Sequence, residues 1–316
     1  MAPKIFIDGA AGTTGLEIRE RLAERPDVTV FELPDAERKS VKAREEALNS
    51  ADLAILCLPD EAAIESVSLI RNNKVRVIDA STAHRVAAGW DYGFPEMEKD
   101  QRAKIAASKR VANPGCYPTG FLALVRPLVR AGIVPADFPL TVNAVSGYSG
   151  GGKSMIAEFE NKASPCYVET VVRSYALTLA HKHVPEMQKH AGLRHAPVFA
   201  PSVGRYYRGM LVEVPLQLWA LPGQPSVAAL HDILAVAYQG EKLVEIAPLM
   251  DAMTLKSLDA ELLKLTNGMK LFVFGNDKTQ QARLVAVLDN LGKGAGGAAV
   301  QNMNLMLGLS ETAGLI

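Results

Sequence analysis

The start of the chain restricts its possible folds more than any other part of the sequence. It predicts a short apolar strand, a turn with three spaced glycines and then a helix. Residues 4–8 predict the strand, residues 16–22 predict the helix, and the turn between them reads Gly9-Ala10-Ala11-Gly12-Thr13-Thr14-Gly15. Glycines at these positions allow a tight turn and let a pyrophosphate approach the N-terminus of the helix. Although the GxxGxxG spacing differs by one residue from the common GxGxxG form, the stretch predicts the first unit of a dinucleotide-binding domain.

Alternating strands and helices extend this unit into a doubly wound α/β domain. Residues 28–33, 52–59 and 75–81 predict strands, and residues 60–70 predict a crossover helix between the last two. The near-continuous apolar runs suit strands that are buried on both faces of a parallel sheet. Residues 105–107, with the approach to Val111, are expected to complete this sheet.

The carboxyl ends of these strands are the edge at which ligands of such sheets bind. Pro59, Asp60, Ser81 and Thr82 fall at this edge, so they are candidate cofactor contacts. The preceding Cys57 lies inside a predicted strand and is expected to fill the core. Residues 82–96 form a polar and aromatic loop, which is either a substrate lid or an ordinary connector.

Charges after the second strand bear on which dinucleotide would bind. Glu32 stands where the dinucleotide fingerprint places an acidic residue on the ribose. Arg38 and Lys39 follow closely, and cations in this place meet a 2′-phosphate, which favours NADP. The alternative is that both cations are solvated surface charges, and the sequence leaves this choice open.

One cysteine is held in a stiff turn before a helix. The run Asn113-Pro114-Gly115-Cys116-Tyr117-Pro118-Thr119-Gly120 leads directly into an apolar helical pattern at residues 121–125. A thiol at a helix N-terminus is favoured as thiolate by the positive end of the dipole, so Cys116 is a candidate nucleophile. The alternative is a small buried cysteine beside a turn, but such a residue needs no prolines and glycines around it.

Composition excludes several classes of function. Because the chain has 316 residues, we expect two domains. Because 34 Lys plus Arg balance 34 Asp plus Glu, we expect neither nucleic acid nor an anionic membrane as the main partner. The 3 cysteines form no CxxC pair, so we expect reduced thiols in the cytoplasm and no metal site. The N-terminal residues show no signal peptide pattern, and no stretch is apolar enough for a membrane span.

From residue 138 onward the pattern changes. Strands are predicted at residues 140–145, 198–200, 210–218, 270–274 and 282–288, and helices at residues 226–238 and 257–264. This order predicts a mixed, mostly antiparallel sheet with helices on one face. Residues 298–309 predict a last helix whose apolar side, with Val300 and Met303, returns to the first domain.

Two segments of the second domain carry chemistry. Gly147-Tyr148-Ser149-Gly150-Gly151-Gly152-Lys153 can offer backbone N–H groups and an ammonium to an anion, but it lacks the ending of a P-loop. His181-Lys182-His183-Val184-Pro185-Glu186 places two histidines on alternate positions, which would face opposite ways in an extended segment. One of them could then serve as general acid and base, since the pKa of histidine suits that role.

Seven blocks in this order resemble the short form of N-acetyl-gamma-glutamyl-phosphate reductase, within the larger group of aspartate-semialdehyde and glyceraldehyde-phosphate dehydrogenase folds. The blocks are residues 9–15, 79–85, 92–96, 113–119, 146–153, 181–186, and 289–295 leading into 301–304. Two positions depart from the family pattern: Leu124 replaces a small residue, and Leu291-Gly292-Lys293 differs from the long form's Leu-Val-Lys.

The resemblance implies a fold and an assembly. A Rossmann domain that binds NADP would span residues 1–116 and be completed by the C-terminal helix, residues 296–316. An α+β domain for substrate binding and dimerisation, with a mixed, mostly antiparallel sheet, would span residues 117–295. The resemblance also implies a cytoplasmic homo-oligomer, a dimer or tetramer, that acts in arginine biosynthesis.

The resemblance further implies the site residues. Cys116 would be the nucleophile, and His183, or failing it His181, the acid and base. Cofactor contacts are expected at Gly9, Gly12, Thr13, Thr14, Gly15, Arg38, Pro59, Ser81, Gly150, Asn290 and Lys293. Substrate contacts are expected at Arg85, Asn113, Lys153 and Arg208.

The implied reaction reduces N-acetyl-glutamyl 5-phosphate to the 5-semialdehyde and phosphate through a thioacyl intermediate on Cys116. A related enzyme acting on aspartyl or aminoadipyl phosphate would use the same chemistry. An alternative of another class is a nicotinamide-binding sensor without turnover, although the intact Cys116 turn and the two histidines argue against it.

Overall fold

The computed structural model describes residues 2–315, which divide into two compact units. The first unit comprises the residues up to Gly115 together with those from Ala295 onward, and the second comprises Cys116–Gly294. Both predicted boundaries between the units lie one residue later, after residue 116 and after residue 295. Cys116 is therefore the first residue of the second unit rather than the last of the first.

Strands and helices alternate through the first unit. Its elements are β1 (Lys4–Asp8), α1 (Thr13–Leu22), β2 (Thr29–Phe31), α2 (Val41–Ser50), β3 (Leu53–Leu56), α3 (Asp60–Ser68), β4 (Arg76–Asp79), β5 (Asp91–Tyr92), α4 (Gln101–Ala107) and β6 (Arg110–Ala112). The six strands lie in the order β2-β1-β3-β4-β6-β5. Every pair is parallel, as predicted for a doubly wound domain.

The second unit has its own elements. They are α5 (Cys116–Arg130), β7 (Thr141–Gly147), α6 (Gly152–Glu160), β8 (Val172–Ser174), α7 (Val184–Ala191), β9 (Val198–Gly204), β10 (Met210–Gln217), α8 (Val227–Ala237), β11 (Val244–Ile246), α9 (Leu249–Thr254), β12 (Met269–Asn276) and β13 (Gln281–Leu288). The chain then returns to the first unit and ends in α10 (Gly297–Met306).

Both faces of the parallel sheet are covered. On one face Phe6, Leu56 and Val77 pack with Leu48 of α2 and Ala63 of α3. The alternate strand positions are buried as well, and α10 packs against α1, α4 and β4. The near-continuous apolar runs of these strands thus reflect burial on two sides.

One predicted strand of this sheet is wrong in part. Residues 105–107 belong to α4, and β6 begins only at Arg110. Ile105 projects from this helix and is fully buried. The side chain of Gln101, at the start of the helix, donates to the carbonyl oxygen of Tyr92. Three residues are too few to show whether an apolar run has helical or strand periodicity, so only packing decided this segment.

The ends of β1 and β3 lie side by side, because β1 pairs with β2 on one side and β3 on the other. This is the switch point at which ligands of such sheets bind. Gly9 has a φ of 89°, and a Cβ there would fall on the carbonyl oxygen of Cys57. Only glycine can therefore occupy this position of the turn.

A buried hydrogen-bonded group around Asp8 and Arg44 stabilises the end of β1. Asp8 accepts a hydrogen bond from Ser66 at 2.8 Å and one from the guanidinium of Arg44 at 3.3 Å. Arg44 also donates to Glu65 at 2.6 Å. Because Arg44 lies in α2 and Ser66 in α3, this group links both helices to the strand that carries the glycine turn.

The second unit contains the mixed, mostly antiparallel sheet that the sequence predicted. Its seven strands lie in the order β11-β12-β13-β10-β7-β9-β8. The central strands β12, β13, β10 and β7 pair antiparallel, whereas β9 runs parallel to β7 and β11 parallel to β12.

Helix α5 packs closely on this sheet. A Cβ on Gly120 would lie 2.8 Å from the side chain of Val212 in β10 and 3.4 Å from Ala286 in β13. Helix α8 packs beside α5, where Tyr238 donates its hydroxyl hydrogen to the carbonyl oxygen of Ala123 at 2.8 Å. The helix that begins at Cys116 is thus fixed on the sheet and on its neighbour.

Two expectations for this unit are wrong. Residues 257–264 form turns rather than a helix, and the helix in this region is α9. Leu258 and Leu263 pack against a cluster with Phe272 and Val285, so their apolar character serves an irregular segment. Ala252 of α9 belongs to the same cluster, on the face opposite to Ala286, so the helices do not cover one face only.

Candidate active site

Cys116 is the first residue of α5, as the turn before it predicts. Its side chain is partly exposed. A Cβ on Gly294 would lie 2.8 Å from the Cβ of Cys116, so only a glycine lets the single π-type turn Gly292–Gly296 come this close. The thiol thus lies at the positive end of a helix, with backbone packed against its own residue.

The two histidines lie together, because they occupy a turn and not the extended segment in which they would face opposite ways. They occupy a turn before α7, in which Val184 N donates to His181 O at 3.0 Å. Their ring centroids are only 4.7 Å apart, with the planes at 65°. The alternation of side chains holds for an extended strand, whereas this turn brings both imidazoles to one side.

Aromatic rings surround the histidines. The Tyr117 ring lies 6.1 Å from that of His181 and 5.9 Å from that of His183. Phe199 of β9 lies 5.2 Å from His181, and Tyr175 lies 5.8 Å from it. Because Tyr117 follows Cys116 directly, the start of α5 and the histidine turn share one aromatic cluster.

A backbone hydrogen bond selects the tautomer of His181. His183 N donates to His181 Nδ1 at 3.1 Å. This nitrogen is therefore an acceptor, and the proton of a neutral His181 ring lies on Nε2. His183 is buried, with 7% of its surface exposed, whereas His181 is more accessible.

Burial and the charge of Cys116 act on the neighbouring tyrosines. Desolvation raises the pKa of Tyr117 well above its ordinary value, and negative charge on Tyr175 or on Cys116 would raise it further. Desolvation also raises the pKa of Tyr175, and Cys116 again adds to the shift. Both hydroxyls therefore keep their protons over the pH range in which enzymes work.

The other two cysteines lie in different environments. Burial, and then the charges of Asp79 and Asp8, raise the pKa of Cys57 to about 12, so this residue stays a thiol. Cys166 is exposed. None of the three cysteines, all of them in the described residues, forms a disulfide, and residues 2–315 contain no metal-binding group of three or more His, Cys, Asp or Glu.

The predicted anion-binding loop continues β7. Residues Tyr148–Gly151 form a 3-10 turn, and α6 follows from Gly152, with Lys153 exposed in its first turn. Gly150 lies beside Asn290, because its added Cβ would be 3.5 Å from Asn290 Nδ2. Asn290 donates to Ser149 Oγ at 2.9 Å and accepts from Gly209 N at 2.8 Å. The structure thus brings Gly150, Asn290 and the segment after Arg208 together.

A buried carboxylate that sequence reasoning missed organises the same region. Asp289 is fully buried and accepts from Arg208 Nε at 2.6 Å. It also accepts from the backbone N–H groups of Leu265, Leu291 and Gly292. The guanidinium of Arg208 is therefore held in place, and Lys293, which follows in the same turn, is 1% exposed. The sequence signal was Asp289 itself, the first residue of a block that matched the family.

Two predicted substrate residues are buried in the first unit. Arg85 donates to the carbonyl oxygens of Asn113 and Ala80, both at 3.0 Å. Asn113 donates its amide hydrogen to Ala295 O at 3.0 Å and accepts from Asn302 at 3.1 Å. These contacts anchor the segment before Cys116, and a role of Arg85 and Asn113 in substrate binding stays a prediction.

The predicted cofactor residues of the first unit lie at the switch point or near it. Thr13 and Thr14 begin α1, Pro59 precedes α3, and Ser81 donates to Asp79 at 2.7 Å. A Cβ on Gly15 would lie 2.6 Å from Gly9 O, so packing requires that glycine. A Cβ on Gly12 would meet nothing nearer than 3.4 Å, and its φ of −75° suits any residue. Gly12 thus leaves an open cradle at a helix N-terminus, which fits a dinucleotide.

Glu32 and Arg38, two of the charges after β2, already have partners. Arg38 pairs with Asp35 at 3.2 Å and is exposed, while Glu32 pairs with Arg19 at 3.2 Å. Exposed pairs of this kind are weak and exchange easily for a ligand. Both the ribose role of Glu32 and the phosphate role of Arg38 stay predictions.

The polar loop after β4 is anchored at several points, which the sequence did not show. His84 Nδ1 lies 2.6 Å from Asp79 Oδ2, and its ring stacks on Trp90 at 4.1 Å. Asp60 accepts from both the backbone and the hydroxyl of Thr82. These contacts favour the connector over the mobile lid.

Two family models match this chain. One, described as the semialdehyde dehydrogenase NAD binding domain, matches residues 4–105. The other, described as the semialdehyde dehydrogenase dimerisation domain, matches residues 116–290. No helix within residues 2–315 is both long and apolar enough to cross a membrane.

Solved structures with this fold include two aspartate semialdehyde dehydrogenases. One from Vibrio cholerae, complexed with ASA, has a TM-score of 0.73 at 16% identity and covers 97% of this chain and 98% of its own. One from Candida albicans, with NADP, has a TM-score of 0.67 at 12% identity and covers 97% of this chain and 98% of its own. At such identities the likeness concerns the fold alone.

Relatives in sequence are much closer. The N-acetyl-gamma-glutamyl-phosphate reductases of Brucella anthropi and Brucella ovis are both 57% identical to this chain over 309 residues. The match spans 98% of this chain, 99% of the first relative and 100% of the second. These findings confirm the fold class and the family that the sequence blocks predicted. The chain belongs to the N-acetyl-gamma-glutamyl-phosphate reductases, a family of oxidoreductases.

Proposed function

We propose that this chain reduces N-acetyl-glutamyl 5-phosphate with NADPH, releasing N-acetyl-glutamate 5-semialdehyde and phosphate in arginine biosynthesis. The observation that carries the proposal is the position of Cys116 at the start of α5, directly before Tyr117, whose ring contacts those of His181 and His183. A nucleophile and an acid or base in this arrangement suit acyl transfer. The name of relatives at 57% identity supports the acyl phosphate as substrate.

The first step is attack by Cys116. Its thiolate forms a bond to the acyl carbon, the bond from that carbon to the phosphate oxygen breaks, and phosphate leaves with both electrons of that bond. The dipole of α5 stabilises the thiolate before the attack. The product of this step is a thioester on Cys116.

The first unit supports a bound dinucleotide. Residues Gly9, Gly12, Thr13, Thr14 and Gly15 would hold its pyrophosphate at the N-terminus of α1, where Gly12 leaves space for close approach. A bound nicotinamide cofactor supplies the hydride that reduces the thioester. Further contacts are proposed at Pro59, Ser81, Gly150, Asn290 and Lys293, and Arg38 is proposed to select NADP over NAD through the 2′-phosphate.

The geometry supports His181, rather than His183, as the acid and base. Its Nδ1 accepts the backbone hydrogen bond, which leaves the proton on Nε2. Reduction of the thioester leaves a thiohemiacetal on Cys116. Nε2 can donate that proton to the thiohemiacetal oxygen and take it back when the carbon–sulfur bond breaks. His183 is more deeply buried and contributes its backbone N–H to this arrangement.

The substrate carries a carboxylate and a phosphate, so cations should bind it. Arg208 is oriented by Asp289 at 2.6 Å, and Lys153 is exposed at the start of α6. We include Arg85 and Asn113, although both are buried. The matched dimerisation domain supports a homo-oligomer, and three cysteines without disulfides support a reducing, cytoplasmic environment.

A panel of substrates tests the function. NADPH oxidation, followed by absorbance, should be fastest with N-acetyl-glutamyl 5-phosphate and much slower with aspartyl and aminoadipyl phosphates. The reverse reaction, from each semialdehyde with phosphate and NADP, should show the same order. Faster turnover of another acyl phosphate would show that the proposed substrate is wrong. Binding of NADPH without turnover of any of them would indicate a nicotinamide-binding sensor.

Cys116→Ser should abolish turnover while the fold and cofactor binding remain, because a hydroxyl is a far weaker nucleophile than a thiolate at neutral pH. Cys166→Ser, which changes the exposed cysteine, is the matched control and should keep full activity. Alkylation should be fastest at Cys116 and slowed by substrate. Activity of the Cys116→Ser protein near that of the wild type would refute the nucleophile.

His181→Asn should lower kcat by about a hundred- to ten-thousandfold, the loss typical of a missing general acid or base. Mixing with acyl phosphate in the absence of NADPH should still release a burst of phosphate, since the dipole of α5 remains. His195→Asn, on an exposed histidine, is the control. A larger loss in His183→Asn would exchange the two roles.

Gly12→Ala should leave the thermal unfolding midpoint near that of the wild type, because its Cβ meets nothing closer than 3.4 Å. It should raise the Michaelis constant for NADPH by about tenfold, or about 1.4 kcal/mol, since the side chain enters the space proposed for the pyrophosphate. Gly268→Ala, with its nearest atom at 3.6 Å, serves as control. Unchanged cofactor affinity would place the pyrophosphate elsewhere.

A further inference from the structure

A short segment connects β8 to the histidine turn and adopts a constrained backbone. Ala176 has a φ of 53° and Leu179 a φ of 60°, both in the left-handed region that non-glycine residues rarely adopt. Leu179 N donates to Ala176 O at 3.0 Å, and Tyr175 N donates to Pro201 O at 3.2 Å. Such conformations persist where the surroundings hold them. The segment thus sets the position of its two ends, Tyr175 and His181, relative to each other.

Tyr175 is fixed at its ring and at its hydroxyl. Its ring meets the His181 ring at 5.8 Å, with the planes at 62°. Its hydroxyl donates to the hydroxyl of Tyr117 at 3.0 Å. Tyr117 is itself buried, with 4% of its surface exposed, so Tyr175 is tied to a rigid part of the core.

Several contacts surround His181, and the His183 ring, at 4.7 Å, is one of them. His183 N fixes Nδ1, while the rings of Tyr117 and Phe199 pack against the imidazole from the core. Tyr175 is the most exposed of these three aromatic residues. A hydrogen bond to one ring nitrogen fixes a point, and packed rings are needed to fix the plane.

We propose that Tyr175 is a positioning residue, which holds the imidazole plane of His181 so that Nε2 points at the reacting oxygen. The ring of Tyr175 makes the contact, and its hydroxyl link to Tyr117 keeps that ring in place. This inference rests on the proposed function, because it gives His181 the proton-transfer role. Tyr175 itself touches neither substrate nor cofactor in this scheme.

The Tyr175 hydroxyl, which donates to Tyr117 at 3.0 Å, keeps its proton at neutral pH. Desolvation raises the pKa of Tyr175, the hydrogen bond with Tyr117 lowers it in part, and a negative charge on Cys116 would raise it further. The hydroxyl therefore keeps its proton and continues to donate to Tyr117. Formation of the Cys116 thiolate strengthens this tendency rather than opposing it.

Two substitutions separate the ring from the hydroxyl. Tyr175→Leu removes the ring contact and should lower kcat by about ten- to a hundredfold, less than the loss of the histidine itself, with KM nearly unchanged. Tyr175→Phe keeps the ring but loses the hydroxyl link to Tyr117, so its kcat should lie between those of Tyr175→Leu and the wild type. The apparent pKa of the acid or base in the pH profile of kcat should shift in Tyr175→Leu, and the phosphate burst should remain.

The control is Tyr167→Phe, which removes a hydroxyl of the second unit from a ring that packs against Arg205 rather than against a histidine. It should leave kcat and the pH profile unchanged. In a His181→Asn background, Tyr175→Leu should cause no further loss of kcat, because the two residues act as one unit. An equal loss in both backgrounds would overturn the proposal, as would a raised KM with unchanged kcat.

A measurement without substrate keeps this test independent of the proposed reaction. The ring nitrogen resonances of His181, labelled with 15N, should show the Nε2–H tautomer in the wild type and a mixture of tautomers or line broadening in Tyr175→Leu. Identical spectra in the two folded proteins would overturn the positioning role. If the panel of acyl phosphates shows no turnover but the spectra differ, the reaction is wrong and the positioning stands.

Discussion

The close packing of helix α5 is the constraint on which the rest of the second unit depends. Two contacts that only glycine permits hold this helix: Gly120 lies against Val212 of the sheet, and Gly294 lies against Cys116 at the start of the helix. A larger residue at either place would overpack a filled interior. The thiol, the positive end of the helix dipole and the turn that carries Lys293 are therefore fixed relative to one another. In our proposal, the Cys116 thiol held in this way needs no rearrangement before it attacks the substrate.

Buried carboxylates hold the loops that surround these positions. Asp289 accepts hydrogen bonds from Arg208 and from three backbone N–H groups, and it is fully buried. In the first unit Asp8 accepts from Ser66 and Arg44 directly before the glycine turn. A buried carboxylate without such partners would be strongly destabilising, so each group fixes the segments that donate to it. Both lie at the end of a strand, where a loop with a proposed binding role begins.

The histidine turn shows how an ordinary backbone contact can define the tautomer of a side chain. One N–H group selects the tautomer of His181, and the rings of Tyr117, Tyr175, His183 and Phe199 pack around the imidazole. Selecting the tautomer by the hydrogen bond of the other ring nitrogen is a general way to define which nitrogen reacts. The same packing leaves His183 buried. Two histidines two residues apart thereby receive different environments and, in our proposal, different roles.

Features that depend on neighbours along the chain were determined by the sequence itself. Local patterns predicted the glycine turn, the start of α5 at Cys116, the parallel strands of the first unit and the family, because backbone preferences act over a few residues.

Only the tertiary structure decided which side chains meet. Residues 105–107 and 257–264 contain apolar residues that suited either a helix or another conformation, and packing chose between them. The joint orientation of His181 and His183, the carboxylate hub at Asp289 and the burial of Arg85 and Asn113 depend on segments far apart in the chain. Such contacts leave no periodic signal in one sequence, since each partner reads locally as an ordinary polar residue.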